Sequence, residues 1–468
     1  MPEEKVKKPE KRKTATKAAA SIGPMVREFI VGAIRARAEG KKKLAFTFIV
    51  CCYDEILRAM DIVPIWTENF AGICGAKRDA ERFLQRAESL GFSRSLCTYA
   101  LCGIGFDQWR ETLGEMPPDA PWGGQARPDF MLGSGQILCD PRIKWYQAVQ
   151  RFMPDVPLYV VDLPYPLYSK DLDHKEVLDY YFRYIVKELR GLVKFLEDQT
   201  GTKLDYDRLR EIADLSDRTW NLIHETYELR KAKPCPMDTG DAMNTMVPMC
   251  FMMGTQQAYD FFMDLNRELR EKIARGEGVV ENERYRLLWG GGLPSWFALR
   301  DFNYFNSKGA VFPAETTYRM VAPLYEMDIP DTKDPIEHLA WRWLGYWTFW
   351  YERARKRPGG EPDVERLINY IEDYDIDGIV MHEAFSCRTW HVGLIWQLHQ
   401  LSKIYRPIPV LRLGKNGTKK EERRPLPSLV LESDIIDISS YSEVDTRNRI
   451  DAFIETLESV KRAQNVTS

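Results

Sequence analysis

Three cysteines occupy the same kind of position, at or near the start of a predicted helix. Cys139 lies between a strand predicted at 129–133 and a helix that begins at Asp140, and Cys387 lies between a strand at 378–382 and a helix that begins at Arg388. Cys97 lies just ahead of a third helical stretch or within it. The partial positive charge of a helix N-terminus stabilises a thiolate, which acts as a nucleophile or as a metal ligand. These positions therefore indicate nucleophilic or metal chemistry, and three buried, inert thiols are the structural alternative.

The spacing of the nine cysteines is a weak metal signal by itself. The chain has no Cys-x-x-Cys pair, and only the tertiary structure could bring its three strand-end cysteines together. Cys97 and Cys102 have a spacing found in some iron–sulfur sites, but residues five apart share a helix face poorly. At most one of the neighbours Cys51 and Cys52 could face a site. We interpret the remaining three cysteines as structural: Cys74, Cys235 and Cys250.

Other motifs fit structural interpretations better than catalytic ones. The glycines at 290–292 lack the residues of a phosphate loop or a dinucleotide-binding loop, so we interpret them as a tight turn. The glycines and lysines at 414–420 are interpreted as an exposed basic loop, with contact to a ligand phosphate as the alternative. His382 and His391 bracket Cys387, but a core or surface role is favoured for His391 and for His399. The sequence contains no G-x-S-x-G or HExxH motif, which argues against common hydrolase and zinc-protease chemistries.

The composition is that of an ordinary globular protein. The chain has 468 residues, of which 44% are hydrophobic and 29% charged, and its net charge of −3 removes the main reason to expect a nucleic-acid partner. No apolar run reaches the roughly 20 residues that span a bilayer, so we expect no membrane segment. The charged N-terminus has no signal-peptide pattern. We therefore expect a cytoplasmic protein without a disulfide framework.

Strands and helices alternate in two parts of the chain and predict an α/β fold with two doubly wound parallel-sheet domains of the Rossmann or flavodoxin type. We place the domain boundaries at 1–40 for a basic tail and N-terminal helix, 41–168 for the first α/β domain, 169–283 for a helical segment and 284–468 for the second α/β domain. The predicted strands are 44–50, 129–133, 157–162, 286–289, 310–313, 378–382 and 409–413, and the predicted helices outside the helical segment are 22–38, 53–60, 140–153, 295–307, 362–374, 388–404 and 446–463.

The three cysteines and their neighbours resemble those of the 2-hydroxyacyl-CoA dehydratase and ATP-dependent (class I) benzoyl-CoA reductase family. The resemblance runs from about residue 43 to the C-terminus. It rests on the stretch AFTFIVCCYDEILRAMDIVPIWTENFAG at 45–72 and on the cysteine motifs SRSLCTYAL at 93–101, LCDPRIKW at 138–145 and HEAFSCRTW at 382–390. Each motif is short, but their combination in this order is specific. Their surroundings are more similar to the large, B-type subunits of the reductases than to the dehydratases.

The resemblance implies that Cys97, Cys139 and Cys387 hold a [4Fe–4S] cluster with one iron open to the substrate. It implies an iron–sulfur subunit of a benzoyl-CoA reductase, which reduces benzoyl-CoA or a related aroyl-CoA to a cyclohexadiene-carbonyl-CoA through a ketyl-type radical anion. The implied partners are a paired cluster-bearing subunit of the same family, an ATP-hydrolysing activator of the acetate-kinase/Hsp70 type with its own [4Fe–4S] cluster, and ferredoxin as the upstream electron donor. This chain contains no phosphate loop, in agreement with ATP hydrolysis on a separate activator.

Three alternatives stay open. A dehydratase of the same family would use the same radical step to eliminate water. A double-cubane reductase would need further cysteine ligands, for which Cys74 and Cys102 are the candidates. A non-catalytic electron-relay or scaffold subunit would have a fourth protein or sulfide ligand on its cluster and no cavity beside it.

The resemblance also suggests roles for individual carboxylates and aromatic residues. Glu68 lies where relatives place a carboxylate near the open iron, so we expect it to donate a proton or to orient the substrate; a carboxylate that only stabilises a helix N-terminus is the alternative. The family's Pro-x-Glu appears as residues 53–55 without the proline, and we interpret Glu55 as a helix-start or packing residue. We expect Trp66 and Trp289 to contact the substrate. Further candidates for an aromatic wall that excludes water are Phe70, Trp296 and Trp390.

Overall fold

A computed structural model describes residues 16–49, 51–134, 139–164, 172, 174–319, 329–354, 356, 360–409 and 424–465 of the chain. These residues form two lobes, each built around a parallel sheet, and a set of long helices connects the two lobes in sequence. The first sheet has the strand order β2–β1–β3–β4 and the second has the order β6–β5–β7–β9–β8. The expected α/β fold with two parallel sheets, a helical segment between them and an N-terminal helix is confirmed.

The first lobe consists of an N-terminal helix, four parallel strands and the helices that join them. The N-terminal helix is held in place at its first residues: the Thr16 hydroxyl accepts a hydrogen bond from the Ala19 N–H (3.2 Å) and donates one to Asp241 (3.2 Å). The lobe contains α1 (Lys17–Glu39), β1 (Leu44–Thr47), α2 (Asp54–Ala59), β2 (Val63–Trp66), α3 (Thr67–Ala76), α4 (Glu81–Ser89), α5 (Thr98–Leu113), β3 (Phe130–Ser134), α6 (Asp140–Phe152) and β4 (Leu158–Val161). All four residues of β1 are buried, as expected for a central parallel strand covered on both faces.

Four helices follow the first sheet, and three of them pack against α1 or α2. They are α7 (Lys175–Thr200), α8 (Tyr206–Leu229), α9 (Thr239–Met246) and α10 (Gln256–Ala274), and a π-helical turn at Val247–Phe251 follows α9. In α7 the buried residues recur at helical spacing, so one apolar face is covered while the other stays polar. No helix in the described part of the chain is both long enough and apolar enough to cross a bilayer.

The second lobe surrounds the five-stranded sheet. It contains β5 (Tyr285–Gly290), α11 (Asp301–Ser307), β6 (Ala310–Glu315), α12 (Pro335–Ala354), α13 (Pro362–Asp373), β7 (Gly378–Ala384), α14 (Arg388–His391), α15 (Leu394–Leu401), β8 (Arg406–Pro409), β9 (Pro425–Ser433) and α16 (Glu443–Asn465). Strands β5 and β6 are buried along their whole length. The central strand β7 pairs with β5 on one side and with β9 on the other, so its carboxyl end opens at the middle of the sheet edge.

Two strands are absent from the sequence predictions, and both contain proline. Strand β2 is an edge strand, where the missing N–H of Pro64 removes no hydrogen bond from the middle of the sheet. In β9, Pro425 and Pro427 lie in the part that pairs only with β8, and pairing with β7 begins at Ser428. The prolines therefore argued against strands in the sequence, but in the structure they lie where the strand pairs with only one neighbouring strand.

Two predicted elements near the C-terminus have different bounds in the structure. The single helix predicted at 388–404 is divided into α14 and α15. The strand predicted at 409–413 is β8 at Arg406–Pro409, and residues 410–413 lie outside the described residues. The domain boundaries stay a prediction.

Candidate functional site

Cys97, Cys139 and Cys387 are the N-cap residues of α5, α6 and α14, and none of the three side chains accepts a capping hydrogen bond. Each of the three cysteines therefore lies at a helix N-terminus. Cys139 follows β3 of the first sheet, and Cys387 follows β7 of the second. The carboxyl ends of the two parallel sheets thus supply two of the three cysteines, and α5 supplies the third.

Contacts between neighbouring residues bring these three N-termini together. The hydroxyls of Thr98 and Ser386, which adjoin Cys97 and Cys387, are 3.1 Å apart. The Arg388 guanidinium lies 3.8 Å from the Asp140 carboxylate, and these residues adjoin Cys387 and Cys139. The structure therefore assembles the cysteine set that the sequence singles out, which we call the three-cysteine site.

Burial dominates the electrostatics of these thiols. It raises the pKa of Cys97 well above its ordinary value, and negative charge on the other two cysteines would raise that pKa further. Burial raises the pKa of Cys139 to about 11, against the opposing effect of the Arg142 guanidinium. Such thiols stay protonated unless a metal supplies the compensating positive charge, so metal binding here would release protons.

The donor chemistry of the three-cysteine site fits an iron–sulfur cluster. Three thiols with no nitrogen or oxygen ligand among them form a soft ligand set of the kind that clusters use. No group of three or more His, Cys, Asp or Glu side chains that could hold a metal ion is found among the described residues. The fit therefore rests on the identity and shared location of the thiols, and the ligand assignment stays a prediction.

Glu68 lies near Cys139 and forms an ion pair with Arg142. One of its oxygens accepts a hydrogen bond from Arg142 Nε at 2.9 Å and lies 2.8 Å from Nη2, and the other accepts the Ile49 N–H at 2.7 Å. Arg142 also donates to the Ile49 carbonyl oxygen at 2.8 Å. Both charged side chains are buried. These partners suit Glu68 to fixing Arg142 and the loop after β1, and its expected role toward the substrate stays a prediction.

A cavity of about 300 Å³ opens next to Glu68. Its walls are mainly apolar and aromatic, with the amides of Asn69 and Asn244, and Glu68 is the one charged side chain among the described residues that line it. Helix α1 forms one wall through Ala19, Ile22, Gly23 and Val26. The aromatic residues of the lining are Tyr99, Trp122, Phe251, Trp296 and Tyr318. We call this space the acyl cavity, because its size and lining suit a small uncharged group.

Tyr99 connects the acyl cavity to the three-cysteine site. It lies in the first turn of α5, two residues after Cys97, and its hydroxyl accepts a hydrogen bond from the Trp296 indole N–H. Burial raises the pKa of Tyr99 well above its ordinary value, so the hydroxyl keeps its proton. Trp296 belongs to the second lobe, and the pair therefore also joins the two lobes across the cavity.

Most of the other aromatic candidates lie elsewhere. Trp66 packs between Phe29 and Phe251 in the core. Trp289 is stacked on His382, with ring centroids 5.6 Å apart, and its indole N–H donates to the Gly292 carbonyl oxygen. Neither tryptophan lines the acyl cavity, so other aromatic residues form its wall, and the substrate contacts of Trp66 and Trp289 stay predictions without support from this cavity. Phe70 is likewise in the core, the side chain of Trp390 lies outside the described residues, and Trp296 does line the cavity.

Glu55 and His382 have structural partners. The Glu55 carboxylate accepts a hydrogen bond from Arg342, which agrees with the packing interpretation. His382 donates from Nδ1 to the Leu293 carbonyl oxygen (2.7 Å) and accepts at Nε2 from the Ser433 hydroxyl (3.0 Å). These bonds tie β7 to β9 and to the turn at 290–292, so His382 positions a loop that borders the acyl cavity.

Three of the remaining cysteines have partners of their own. Cys74 and Cys102 are fully buried and their thiols are hydrogen-bonded to each other, on α3 and α5. This pairing gives Cys102 a structural partner away from Cys97. Cys235 donates to the Met237 carbonyl oxygen in the core. None of the nine cysteines, all of which lie in described parts of the chain, forms a disulfide.

Comparison with known proteins shows the family. The family described as 2-hydroxyglutaryl-CoA dehydratase, D-component, matches residues 50–457. The chain belongs to this family. It is 26% identical to the B-type subunit of benzoyl-CoA reductase from Thauera aromatica, with 90% of each chain covered. It is 22% identical to the (R)-phenyllactyl-CoA dehydratase alpha subunit of Clostridium sporogenes, with 88% of each covered. It is 23% identical to the alpha subunit of lactoyl-CoA dehydratase from Anaerotignum propionicum, over 86% of this chain and 88% of the relative.

Two site residues were missed in the sequence analysis although signals for them exist. Arg142 lies three residues after Cys139, which places it on the same side of the first helical turn. Tyr99 lies two residues after Cys97 in the motif SRSLCTYAL. A search of the first turn after each cysteine would have found both residues. Their partners Glu68 and Trp296 are distant in sequence, so the contacts themselves could not be predicted.

Proposed function

We propose that this protein is the iron–sulfur catalytic subunit of an ATP-dependent benzoyl-CoA reductase that reduces the aromatic ring of benzoyl-CoA or a related aroyl-CoA to a cyclohexadiene-carbonyl-CoA. The observation that carries the proposal is the acyl cavity, whose described lining has five aromatic residues and no cationic side chain, and whose Tyr99 and Glu68 lie near Cys97 and Cys139. Membership in a family of CoA-thioester enzymes supports the thioester substrate. The Thauera aromatica relative, which this chain matches over most of its length, is a benzoyl-CoA reductase component.

In this proposal Cys97, Cys139 and Cys387 hold a [4Fe–4S] cluster. Such a cluster, held by three thiolates, supplies low-potential electrons and an iron that can act as a Lewis acid. The chain's own residues form the surroundings of the reacting acyl group. The apolar walls exclude water from the reacting acyl group, and the ion pair of Glu68 with Arg142 fixes the loop after β1 at the cavity edge.

The lining of the acyl cavity favours an uncharged acyl group. An acyl group with a second carboxylate needs a cationic partner when it is buried, and no lysine or arginine lines the cavity among the described residues. Five aromatic side chains suit a planar ring, which stacks on or packs edge-to-face against them. Aroyl thioesters meet both conditions.

A dehydratase of the same family is the second candidate, because the Clostridium sporogenes relative is a phenyllactyl-CoA dehydratase subunit, whose acyl group is also aromatic and uncharged. Elimination of water from a hydroxyacyl group needs a base to remove a proton from carbon. Glu68 is the only carboxylate among the described cavity residues, and both of its oxygens accept hydrogen bonds from neighbours. This arrangement favours reduction over elimination.

The cavity argues against the relay or scaffold alternative, because that alternative predicts no space beside the cluster. A cavity of about 300 Å³ next to the three-cysteine site supports a catalytic subunit. The names of the relatives are names of subunits, which supports a paired subunit of the same family. We propose in addition that an ATP-hydrolysing activator with its own cluster delivers electrons from ferredoxin, and that the complex works in the cytoplasm.

The experiment that tests the proposal is a comparison of two substrates with one preparation. The chain is produced anaerobically with its paired subunit and activator, and ATP and a ferredoxin-level reductant are added. Benzoyl-CoA is expected to give a cyclohexadiene-carbonyl-CoA with ATP hydrolysis, while (R)-phenyllactyl-CoA is expected to remain unchanged. If the preparation dehydrates phenyllactyl-CoA and does not reduce the ring of benzoyl-CoA, the protein is a dehydratase subunit and the reductase assignment is wrong. Preparations with Cys139→Ser serve as the control for background reduction.

A further inference from the structure

We propose that the Tyr99 hydroxyl donates a hydrogen bond to the carbonyl oxygen of the bound acyl thioester, and that Trp296 orients this hydroxyl. The inference rests on the proposed function, because it assumes that the acyl cavity holds an acyl-CoA. It assigns the hydrogen-bond donor for the oxygen on which negative charge develops during reduction.

Tyr99 stands at the right place for this contact. It lines the acyl cavity, and its position in the first turn of α5 brings it close to Cys97. Gly72 of α3 leaves room for the contact between Tyr99 and Trp296. A Cβ atom at Gly72 would lie 3.1 Å from the Tyr99 hydroxyl oxygen and 3.6 Å from the Trp296 indole nitrogen, so a larger residue there would crowd the pair.

In the described part of the chain, the Tyr99 hydroxyl accepts a hydrogen bond but donates none. The indole N–H of Trp296 can only donate, so the Tyr99 oxygen must be the acceptor of their hydrogen bond. No acceptor for the Tyr99 proton is found among the residues that the structure describes. A buried hydroxyl normally has a partner for its proton, and Tyr99 is only 8% exposed. The missing acceptor is therefore expected in the cavity.

Two other polar side chains of the cavity already have partners, and the side-chain amides of Asn69 and Asn244 also line it. The Tyr318 hydroxyl donates to Met246 Sδ at 3.0 Å. The Glu68 oxygens accept hydrogen bonds from Arg142 and from Ile49. The carbonyl oxygen is the strong acceptor of an aroyl thioester near its reacting carbons, since the ring itself has none. Tyr99 and this oxygen are thus complementary, and a donor fixed before charge develops is the type that enzymes use at such positions.

The test measures binding, which needs no electrons and therefore no turnover. The complex with its paired subunit is purified anaerobically without activator, and affinities are measured by calorimetry for benzoyl-CoA and for S-benzyl-CoA. The second ligand is a thioether that keeps the ring and the CoA but lacks the carbonyl oxygen. Tyr99→Phe is expected to weaken benzoyl-CoA binding about tenfold and to leave S-benzyl-CoA binding unchanged. Tyr304→Phe is the matched control, because it removes a hydroxyl outside the cavity that donates to Asp451, and both affinities should remain.

A second variant tests the orienting role of Trp296. Trp296→Phe keeps an aromatic wall but removes the N–H that fixes the Tyr99 oxygen, so it is expected to reduce the preference for benzoyl-CoA over S-benzyl-CoA by severalfold. Equal iron content in all variants shows that the site has assembled.

The outcomes separate this inference from the proposed function. If Tyr99→Phe changes both affinities equally or neither of them, the hydrogen bond to the carbonyl oxygen is refuted while the acyl site stands. If the unmodified complex binds neither ligand, the acyl cavity itself is misassigned, and the proposed function falls together with this inference.

Discussion

Cys97, Cys139 and Cys387 differ from the other six cysteines in position more than in burial. Each is the N-cap residue of a helix, at the point where that helix begins. Cys235 is buried too, but its thiol donates to the Met237 carbonyl oxygen within the core. The residue types and their strand-to-helix positions could be predicted from the sequence.

Replacement of a single cysteine should lower the iron content if that cysteine is a cluster ligand and leave it unchanged if the cysteine is structural. Cys139→Ser is expected to remove most of the iron from anaerobically purified protein, because a serine oxygen is a poor ligand for iron–sulfur clusters. Cys235→Ser is the control, with a similar change at a buried cysteine that already has a hydrogen-bond partner. Iron and acid-labile sulfide analysis of both variants gives the result. Equal iron content in the two proteins would contradict the ligand assignment.

The ion pair of Glu68 with Arg142 should be strongly coupled, because removal of either partner leaves a buried charge. We expect Glu68→Gln and Arg142→Gln each to lower the free energy of unfolding, and the double variant to lose about 2 kcal/mol less than the sum. Denaturant unfolding of the four proteins measures this coupling. Additive free energies would show that the contact contributes nothing to stability. Glu68→Gln should also keep its iron and lose turnover.

His382 should make the fold sensitive to acid. Burial lowers its pKa from 6.5 to about 4, so the unfolded chain takes up a proton at a higher pH than the folded chain does. The contribution of this residue to stability is therefore complete above pH 6.5 and declines as the pH falls toward 4. Between pH 7.5 and pH 5 the loss amounts to about 2 kcal/mol.

The variant His382→Asn removes this titration and keeps a donor for the Leu293 carbonyl oxygen. The difference in unfolding free energy between wild type and variant should be about 2 kcal/mol smaller at pH 5 than at pH 7.5. Parallel pH profiles of the two proteins would rule out the contribution of His382.

At the scale of elements, strands were recognisable from sequence where apolar residues run unbroken, as in β1 and β7. Strands β2 and β9 were missed because their prolines normally argue against a strand, and the sheet accommodates them at positions with a single neighbour. The division between α14 and α15 was missed because the apolar spacing continues across it. These differences depend on tertiary pairing, which local patterns do not encode.

Helix α1 forms the outer wall of the acyl cavity, and one glycine in it can be used to fill that cavity. A Cβ atom at Gly23, which lines the cavity, meets nothing within 4 Å, and the same holds for Gly32 farther along the helix, outside the cavity lining. Gly23→Phe is expected to weaken benzoyl-CoA binding at least about tenfold, while Gly32→Phe leaves it unchanged. Both substitutions raise helix propensity, so stability changes should be similar.

Calorimetric titration of the two variants with benzoyl-CoA distinguishes them. Equal affinity of Gly23→Phe and wild type would mean that α1 does not border the acyl group.

At the scale of the whole molecule, the three-cysteine site exists only where the two lobes meet. The Thr98 hydroxyl of the first lobe donates to the Asp434 carboxylate of the second at 2.6 Å and lies 3.1 Å from the Ser386 hydroxyl. Trp296 reaches Tyr99 across the same boundary. The sequence could place each cysteine at a strand or helix end, but it could not show that residues of separate lobes meet at one point.

Thr98→Val should therefore loosen the site without unfolding either lobe. The variant removes the hydroxyl that Asp434 holds, and the buried carboxylate loses a hydrogen bond. We expect the iron to be lost to a chelator severalfold faster than from wild type, with an unchanged circular dichroism spectrum. Thr112→Val on the exposed end of the same helix is the control and should retain iron like wild type. Identical rates in both variants would show that this contact does not hold the lobes together at the site.

The central claim is that Cys97, Cys139 and Cys387 hold a cluster that faces the acyl cavity. The most direct measurement is iron and acid-labile sulfide content, with electron paramagnetic resonance of the reduced protein, on anaerobically purified material with and without benzoyl-CoA. The account predicts about four irons per chain and a spectrum that benzoyl-CoA changes. No iron after anaerobic reconstitution, or a full cluster whose spectrum is the same with the thioester present, would contradict it.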